Sequence, residues 1–488
     1  MPTADKRRVL ILAFDALRPD MVTPALMPNL CAFADSGVFF PHSRATFPTE
    51  TRVNQTALVT GCYPQRHGIV GNRFLDSVAS PGRLFNTGDE TELCEGDRRL
   101  GGKLVDVPVL GELLADAGRT LAVLSSGTPG GCRMLHHKAE TLGVFRLALH
   151  RPDASVPEAR IAAALAKVGA IPPHEIPSLD WLGYTTDTYL NYIEPELAPD
   201  VTVLWYCEPD SSYHHRGIGT EANLASIRRV DAELGRILDW RRKGPGDSLQ
   251  VVTLSDHGQI SVGAKRLGLA ERMAEAGFTV GETTEEGADA ALALSSAGGI
   301  YVRDSDPDLT RRIVEWLQRQ EWCGPVSTRD GDGALRHADI RIDHRRAPDI
   351  GLVLASDDRV NPQGHAGYTL QDAGYPVEGG LHGGLHRAEL NNWLAVSGDA
   401  FASGRESPLP AGLVDVLPTA LTTLGMAVPD HVQGRVLREA LLETADAPLP
   451  TAETETVTAE GVDGYRAHLT VSRVGDTPYL DRGWVERG

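Results

Sequence analysis

The chain has 488 residues, 41% of them hydrophobic, with 47 basic against 66 acidic side chains and a net charge of −19. That is about three domains' worth of sequence with enough apolar content for a sizeable core. The negative balance excludes a non-specific binder of nucleic acid polymer or of anionic membrane, so an anionic substrate would have to be drawn in by a local positive charge, which bound metal ions can supply.

Lys6-Arg7-Arg8 precedes the apolar stretch Val9–Phe14. The stretch is short, lacks a small-residue cleavage site and stops at Asp15. It therefore reads as a first strand over 8–14 and not as a signal peptide, and the expected location is the cytoplasm. A helical pattern follows over 27–36. Short apolar runs at 121–125, 201–206, 250–254, 350–355 and 393–396 read as further strands, and 220–242 has strong helical period. Helices between short, continuous apolar strands predict an α/β fold with a mostly parallel central sheet covered on both faces. Residues 259–344 interrupt the rhythm, with a strand near 300–303 and a helix near 308–320, and read as an inserted α+β cap. The expected division is a core over 1–258, the cap over 259–344, the rest of the core over 345–444, and a linker and tail over 445–488. Within that last part 445–456 reads as linker, and the stretch from Tyr465 onward as a small strand region. No run is apolar for long enough to cross a bilayer. The six cysteines, at 31, 62, 94, 132, 207 and 323, form no Cys-x-x-Cys pair and read as reduced thiols.

Three strand candidates run into carboxylates: Asp15, Glu208-Pro209-Asp210, and Ser255-Asp256-His257. In a parallel sheet these ends share one edge, where ligands bind. A lone Asp there is ordinarily a turn or cap residue; the convergence of several is what carries weight. His214 lies four residues after Asp210, His257 adjoins Asp256, and His382 sits in Gly380-Leu381-His382-Gly383-Gly384. Carboxylates mixed with imidazoles suit zinc, or less selectively manganese or iron. His136, His137, His215 and His386 read as surface or hydrogen-bonded residues. Two cations about 4 Å apart can stabilise both the attacking and the leaving oxygen of a phosphoryl centre. The segment 45–61 reads as a loop entering a helix, where backbone N–H groups favour a phosphate. Thr46, Thr49, Thr51 and Thr56 are all candidate nucleophiles there, and N-capping is the commoner role for any of them.

These residues match a known pattern. FPTETRVNQTALVTGCYPQRHGIVGN (47–72) resembles the nucleophile region of the type I phosphodiesterase/nucleotide pyrophosphatase branch of the alkaline phosphatase superfamily. EPDSSYHHRG (208–217) and SDHG (255–258) resemble its later metal motifs, Leu381–Gly384 its final metal histidine, and 414–437 its closing helix and loop. The resemblance implies an alkaline-phosphatase-like fold and two divalent ions, zinc by the ligand mix. Asp15, Thr51, Asp256 and His257 would hold one, and Asp210, His214 and His382 the other. Thr51 takes the nucleophile position and would form a phospho-threonine intermediate. Asn54 would bind a non-bridging phosphate oxygen together with the Thr51 N–H. The implied substrate is a small phosphodiester or pyrophosphate.

The departures concern the leaving group. Arg52-Val53 replaces the branch's usual Phe-Pro, Gln55 its usual His, and Tyr213 the Gly of Asp-Ser-Ser-Gly-His. His-Gly-Gly is closer to phosphonoacetate hydrolase, a relative with the same ligands. Arg52 beside the nucleophile would favour a substrate with a second negative charge; the bland alternative is a surface arginine. Competing readings are C–P bond hydrolysis of the phosphonoacetate type, phosphoryl transfer to another acceptor, and a non-catalytic metal-binding member of the fold. The cap and the loop 74–103 are expected to shape the pocket.

Overall fold

The computed structural model describes residues 7–285 and 287–488, so Lys6 of the basic triplet lies outside it. Its centre is an eight-stranded sheet. In chain order the strands are β1 (Arg8–Phe14), β2 (Val38–Phe39), β3 (Leu121–Ser125), β4 (Phe145–Ala148), β5 (Val201–Tyr206), β6 (Leu249–Leu254), β7 (Leu394–Ser397) and β8 (Arg405–Glu406). Across the sheet they run β8-β2-β7-β6-β1-β5-β3-β4. From β6 to β4 every pairing is parallel, whereas β7 pairs antiparallel with both β6 and β2.

The apolar runs explain this burial. Val9, Ile11 and Ala13 of β1 face one core, which the helices Thr51–Thr60, Pro129–Leu135 and Val416–Thr423 cover. Leu10, Leu12 and Phe14 face the other, under Pro28–Ser36, Leu179–Thr188 and Glu221–Lys243. A strand buried on both faces needs continuous hydrophobicity, and each such Leu, Ile or Val is worth roughly 1.5–3 kcal/mol. Local signals set the helix ends. Pro28 opens its helix at the first position, where a missing N–H costs nothing. Thr220 caps the long helix through Asn223 N, and Arg241, Arg242 and Lys243 sit at its negative end.

A second sheet forms the body of the cap, ordered Val280–Gly281, Ala290–Leu294, Ala297–Val302, Ile350–Leu354, Cys323–Thr328, Leu335–Arg336. This corrects the expected boundary at 344/345. Ile350–Leu354 is not a central strand: it pairs antiparallel with Ala297–Val302 and with Cys323–Thr328. The latter ladder shifts register between Cys323 and Val326, where Pro325 has no N–H to donate. The start of the expected cap is also reassigned, since Ile260–Val262 joins a small sheet with Ala366–Thr369 and Gly380–Leu381. The third correction concerns the tail. Ala452–Glu460, partly read as linker, is an edge strand on the hairpin Tyr465–Val474 and Thr477–Arg487. All six cysteines are free. No helix among the described residues is long and apolar enough to cross a membrane.

Candidate active site

β1, β5 and β6 are neighbours and parallel, so their carboxyl ends deliver Asp15, Asp210 and Asp256-His257 to one place. Asp15 follows β1 with its N–H on Tyr206 O, and its Oδ2 accepts from Trp205 Nε1 at 2.9 Å. Asp210 opens the helix Asp210–Arg216, which carries His214 one turn on, with Nε2 3.2 Å from Asp210 Oδ1. Asp256 Oδ1 accepts from Ala16 N, and its Oδ2 lies 3.2 Å from His257 Nε2. The small sheet brings in His382: Gly380–Leu381 pairs with Ile260–Val262, four residues beyond Asp256. His382 Nε2 ends 3.5 Å from Asp210 Oδ1, and its ring stacks on His257 at 3.9 Å.

The three imidazoles are held alike. His214 Nδ1 contacts Gly380 O at 2.8 Å, His257 Nδ1 contacts Gly258 O at 3.0 Å and His382 Nδ1 contacts Thr49 O at 2.7 Å. A carbonyl only accepts, so each Nδ1 carries the proton and donates. In the neutral ring each Nε2 then presents its lone pair toward the carboxylates, the tautomer a metal ligand requires. The His382 turn explains its two glycines. Gly383 has φ of +130°, and a Cβ on Gly384 would stand 2.8 Å from Glu389 Oε2. Glu389 ties this turn down by accepting from the N–H groups of Gly384 and His386.

Among the four threonines, three hydroxyls are used within the protein. Thr46 Oγ1 donates to Asn54 Oδ1, Thr49 Oγ1 to Gly384 O and Thr56 Oγ1 to Arg52 O. Among the described residues Thr51, first residue of its helix, has only His257 Nε2 at 3.3 Å. Its N–H stands at a helix N-terminus, where no intrahelical acceptor exists.

Asn54 is a correction. Its side chain is fully buried: Oδ1 accepts from Thr46 N and Oγ1, and Nδ2 donates to the carbonyls of Thr46, Pro48 and Glu50. It braces the loop ahead of Thr51 and has no donor left for a phosphate. The residue that sequence reasoning missed is Asn72. Its N–H donates to Glu50 Oε2, its Oδ1 accepts from Arg52 N, and its Nδ2 has no acceptor among the described residues. Asn72 lines a cavity of about 170 Å³ with Glu50, His214, His382 and Tyr375, the last stacked on His214 at 4.2 Å. Gly71-Asn72 closes the motif that carries the nucleophile, which is the signal that could have found it.

Arg52 is half-buried among Glu50, Asp15, Tyr375 and Asp210, with its Nε sealed and unbonded and no carboxylate within 4.0 Å among the described residues. Tyr213 points away from the site, into the core beside Met21. The histidines set aside lie elsewhere. His215 is exposed and His386 caps the helix Arg387–Leu390, whereas His136 and His137, read as surface or hydrogen-bonded, are buried, with no hydrogen-bond partner for their ring nitrogens among the described residues.

Crowded carboxylates set the electrostatics. Burial pushes Asp15 well above the usual range, and Asp256 and Asp210 push the same way. Burial also raises Asp256 against the pull of His257. For Asp210 burial is outweighed by His214, with His382 and His257 adding to it, so its carboxyl lies below the usual range. Burial and then His257 hold His382 neutral. Three carboxylate oxygens here, Asp15 Oδ1, Asp210 Oδ1 and Asp256 Oδ2, have no hydrogen-bond donor. Buried, unbonded acceptors beside three inward imidazole lone pairs suit divalent cations. Asp210 with His214 and His382, and Asp15 with Asp210 and His257, each bring three ligand atoms within 4.8 Å of one another.

Comparison with known proteins agrees with this geometry. The family model described as type I phosphodiesterase / nucleotide pyrophosphatase matches residues 9–376. Among curated proteins, the mouse bis(5'-adenosyl)-triphosphatase enpp4 is 25% identical over 274 residues, covering 53% of this chain and 49% of its own. Mouse ectonucleotide pyrophosphatase/phosphodiesterase family member 7 is 23% identical, covering 57% of this chain and 56% of its own. The chain thus spans about half the length of the curated relatives it matches. The solved structure of murine ectonucleotide pyrophosphatase / phosphodiesterase 5 superposes with a TM-score of 0.59 at 17% identity, covering 87% of this chain and 96% of that one, a likeness of fold.

Proposed function

The chain belongs to the type I phosphodiesterase / nucleotide pyrophosphatase family, and on that premise we propose that it hydrolyses phosphodiester or pyrophosphate bonds of small molecules, with Thr51 as nucleophile. The single observation that carries this reading is a threonine hydroxyl at a helix N-terminus, with no partner but His257 among the described residues, set against converging carboxylates and imidazoles. Asp15, Thr51, Asp256 and His257 would hold one divalent ion, and Asp210, His214 and His382 a second. Such a pair, when bound, lowers the pKa of a hydroxyl and stabilises charge on the attacking and leaving oxygens.

The chain's own groups supply the rest. The Thr51 N–H and Asn72 Nδ2 are donors for non-bridging phosphoryl oxygens, fixed by the helix start and by the bonds Asn72 makes to Arg52 N–H through Oδ1 and to Glu50 Oε2 through its N–H. Thr51 Oγ1 bonds to phosphorus as the bond to the leaving oxygen breaks. Water then cleaves the phospho-threonine and returns the hydroxyl. Arg52, in no ion pair among the described residues, would grip a second negative charge on the group that stays with phosphorus. Arg52→Ala is expected to raise KM for such a substrate roughly tenfold, with a smaller effect on a neutral-tailed diester; equal effects on both would contradict that role.

The test is a panel assay with zinc present: bis(4-nitrophenyl) phosphate, dinucleotides, nucleotide sugars, monoesters and phosphonoacetate. Turnover of diesters or pyrophosphates, abolished by chelation and by Thr51→Ala, is the expected result. A second reading, phosphonoacetate-type C–P hydrolysis, rests on Arg52 and on the His382-Gly383-Gly384 turn; phosphate released from phosphonoacetate alone would replace the first reading with it.

A further inference from the structure

The small cavity at His214 and His382 does not end there. A second cavity of about 480 Å³ adjoins it, and Arg73, Leu84, Leu292 and Leu294 line both. Leu292 and Leu294 stand two apart on the cap strand Ala290–Leu294, so their side chains share one face. Both are half-exposed, as is Leu84. The three leucines thus leave apolar surface on the passage between the cavities. Arg73 is exposed, on the short strand Arg73–Phe74 that pairs with Phe85–Asn86. The other two arginines of the second cavity are neutralised, Arg83 by Glu92 at 2.5 Å and Arg266 by Asp372 at 3.5 Å. Arg73 is the one arginine lining either cavity with no carboxylate within 4.0 Å among the described residues.

We propose that these joined cavities are a leaving-group channel, selective for a leaving group with an apolar stem and an anionic end, carboxylate or phosphate, that reaches Arg73. The inference rests on the hydrolase reading above. Phosphoryl transfer places the attacking and departing oxygens in line. Thr51 touches His257, whereas the first cavity runs from Glu50 and Asn72, on the phosphoryl side, past His214 and His382 to the leucines, and neither Thr51 nor Arg52 lines it. The departing group therefore leaves past those two histidines, under Tyr375 and between the leucines, while Arg52 serves the group that stays. The stem gains by burying apolar surface, and the anionic end meets an uncompensated guanidinium.

The test compares methyl 4-nitrophenyl phosphate with its 3-carboxy analogue on the zinc-loaded full chain. The ratio of kcat/KM for the carboxylated over the plain ester is expected to fall about fivefold in Arg73→Ala, to fall further in Arg73→Glu, and to be partly kept in Arg73→Lys. Calorimetric Kd values for 4-carboxyphenylphosphonate against phenylphosphonate should shift in the same order, a readout independent of turnover. A carboxylate moved to the retained methyl arm should lose its dependence on Arg73. A ratio and Kd pattern indifferent to Arg73, or one that follows the carboxylate on the retained arm, overturns the channel and leaves the hydrolase reading standing. Failure of the wild type to cleave either ester removes the hydrolase reading, and the channel with it.

Discussion

Two asparagines within one motif divide the work by where their donors point. Asn54 spends every polar atom on the loop ahead of Thr51, whereas Asn72 keeps an amide N–H₂ free toward the cavity. Asn72→Ala is expected to lower kcat by about 10²–10³, the effect of removing one oxyanion donor, with the melting temperature nearly unchanged. Asn54→Ala should do the reverse first: unsatisfied buried groups cost about 1–3 kcal/mol each, so thermal unfolding moves down before kinetics are considered. Steady-state rates and melts on both variants decide between them. Thr51→Ala should abolish turnover, on the order of 10⁴-fold or more, as for other nucleophile deletions. Residue types and spacing made Asp15, Asp210, His214, Asp256, His257 and His382 legible, because strand ends in a parallel sheet must meet. Side-chain direction was not legible, and that is why Asn54 was read in place of Asn72: both carry the same amide, and only the fold shows which one is consumed.

At the scale of elements, the turn His382–Gly384 depends on the short helix Arg387–Leu390, whose Glu389 O also accepts from Gly258 N beside His257. The Glu389 side chain accepts from Gly384 N in the turn and from His386 N just after it, and burial raises that carboxyl to about 7 despite these bonds. Gly384→Ala drives a Cβ against Glu389, and Glu389→Ala removes the tether. Each is expected to weaken divalent-ion affinity by about 10–100-fold, the usual effect of losing a group that orients a ligand. Competition with a graded chelator measures it, and unchanged affinity in both would show that His382 is positioned otherwise. Elements were legible where apolar runs were long and continuous, as in β1, β5 and β6. Ile350–Leu354 shows the limit: a short apolar run reads the same in either of two sheets, and only its antiparallel partners in the cap assign it. Ala452–Glu460 shows another, since an edge strand with acidic, mostly exposed residues reads like linker.

Across the whole molecule, Asp415 joins distant parts. It accepts from Gly412 N, Arg435 N and the Tyr479 hydroxyl of the C-terminal hairpin. Burial raises its carboxyl from 3.8 to about 6, with Arg435 pulling the other way. A raised folded-state pKa means that the associated stability is fully present below 3.8 and is lost as pH rises through about 6. Asp415→Asn should therefore flatten the pH dependence of unfolding between those values by about 3 kcal/mol. Denaturant melts of chelated wild type and variant test this, and identical slopes would contradict it. The same long-range assembly makes the site. β1, β5 and β6 bring three carboxylates, a small sheet brings His382, and the cap closes the cavity with Leu292 and Leu294. Everything proposed about catalysis depends on six side chains, Asp15, Asp210, His214, Asp256, His257 and His382, closing around cations beside Thr51. Anomalous diffraction at the zinc edge from zinc-loaded crystals addresses that. Two peaks are expected, one bounded by Asp15, Thr51, Asp256 and His257 and one by Asp210, His214 and His382. No peak, or zinc bound only elsewhere on the chain, would contradict it.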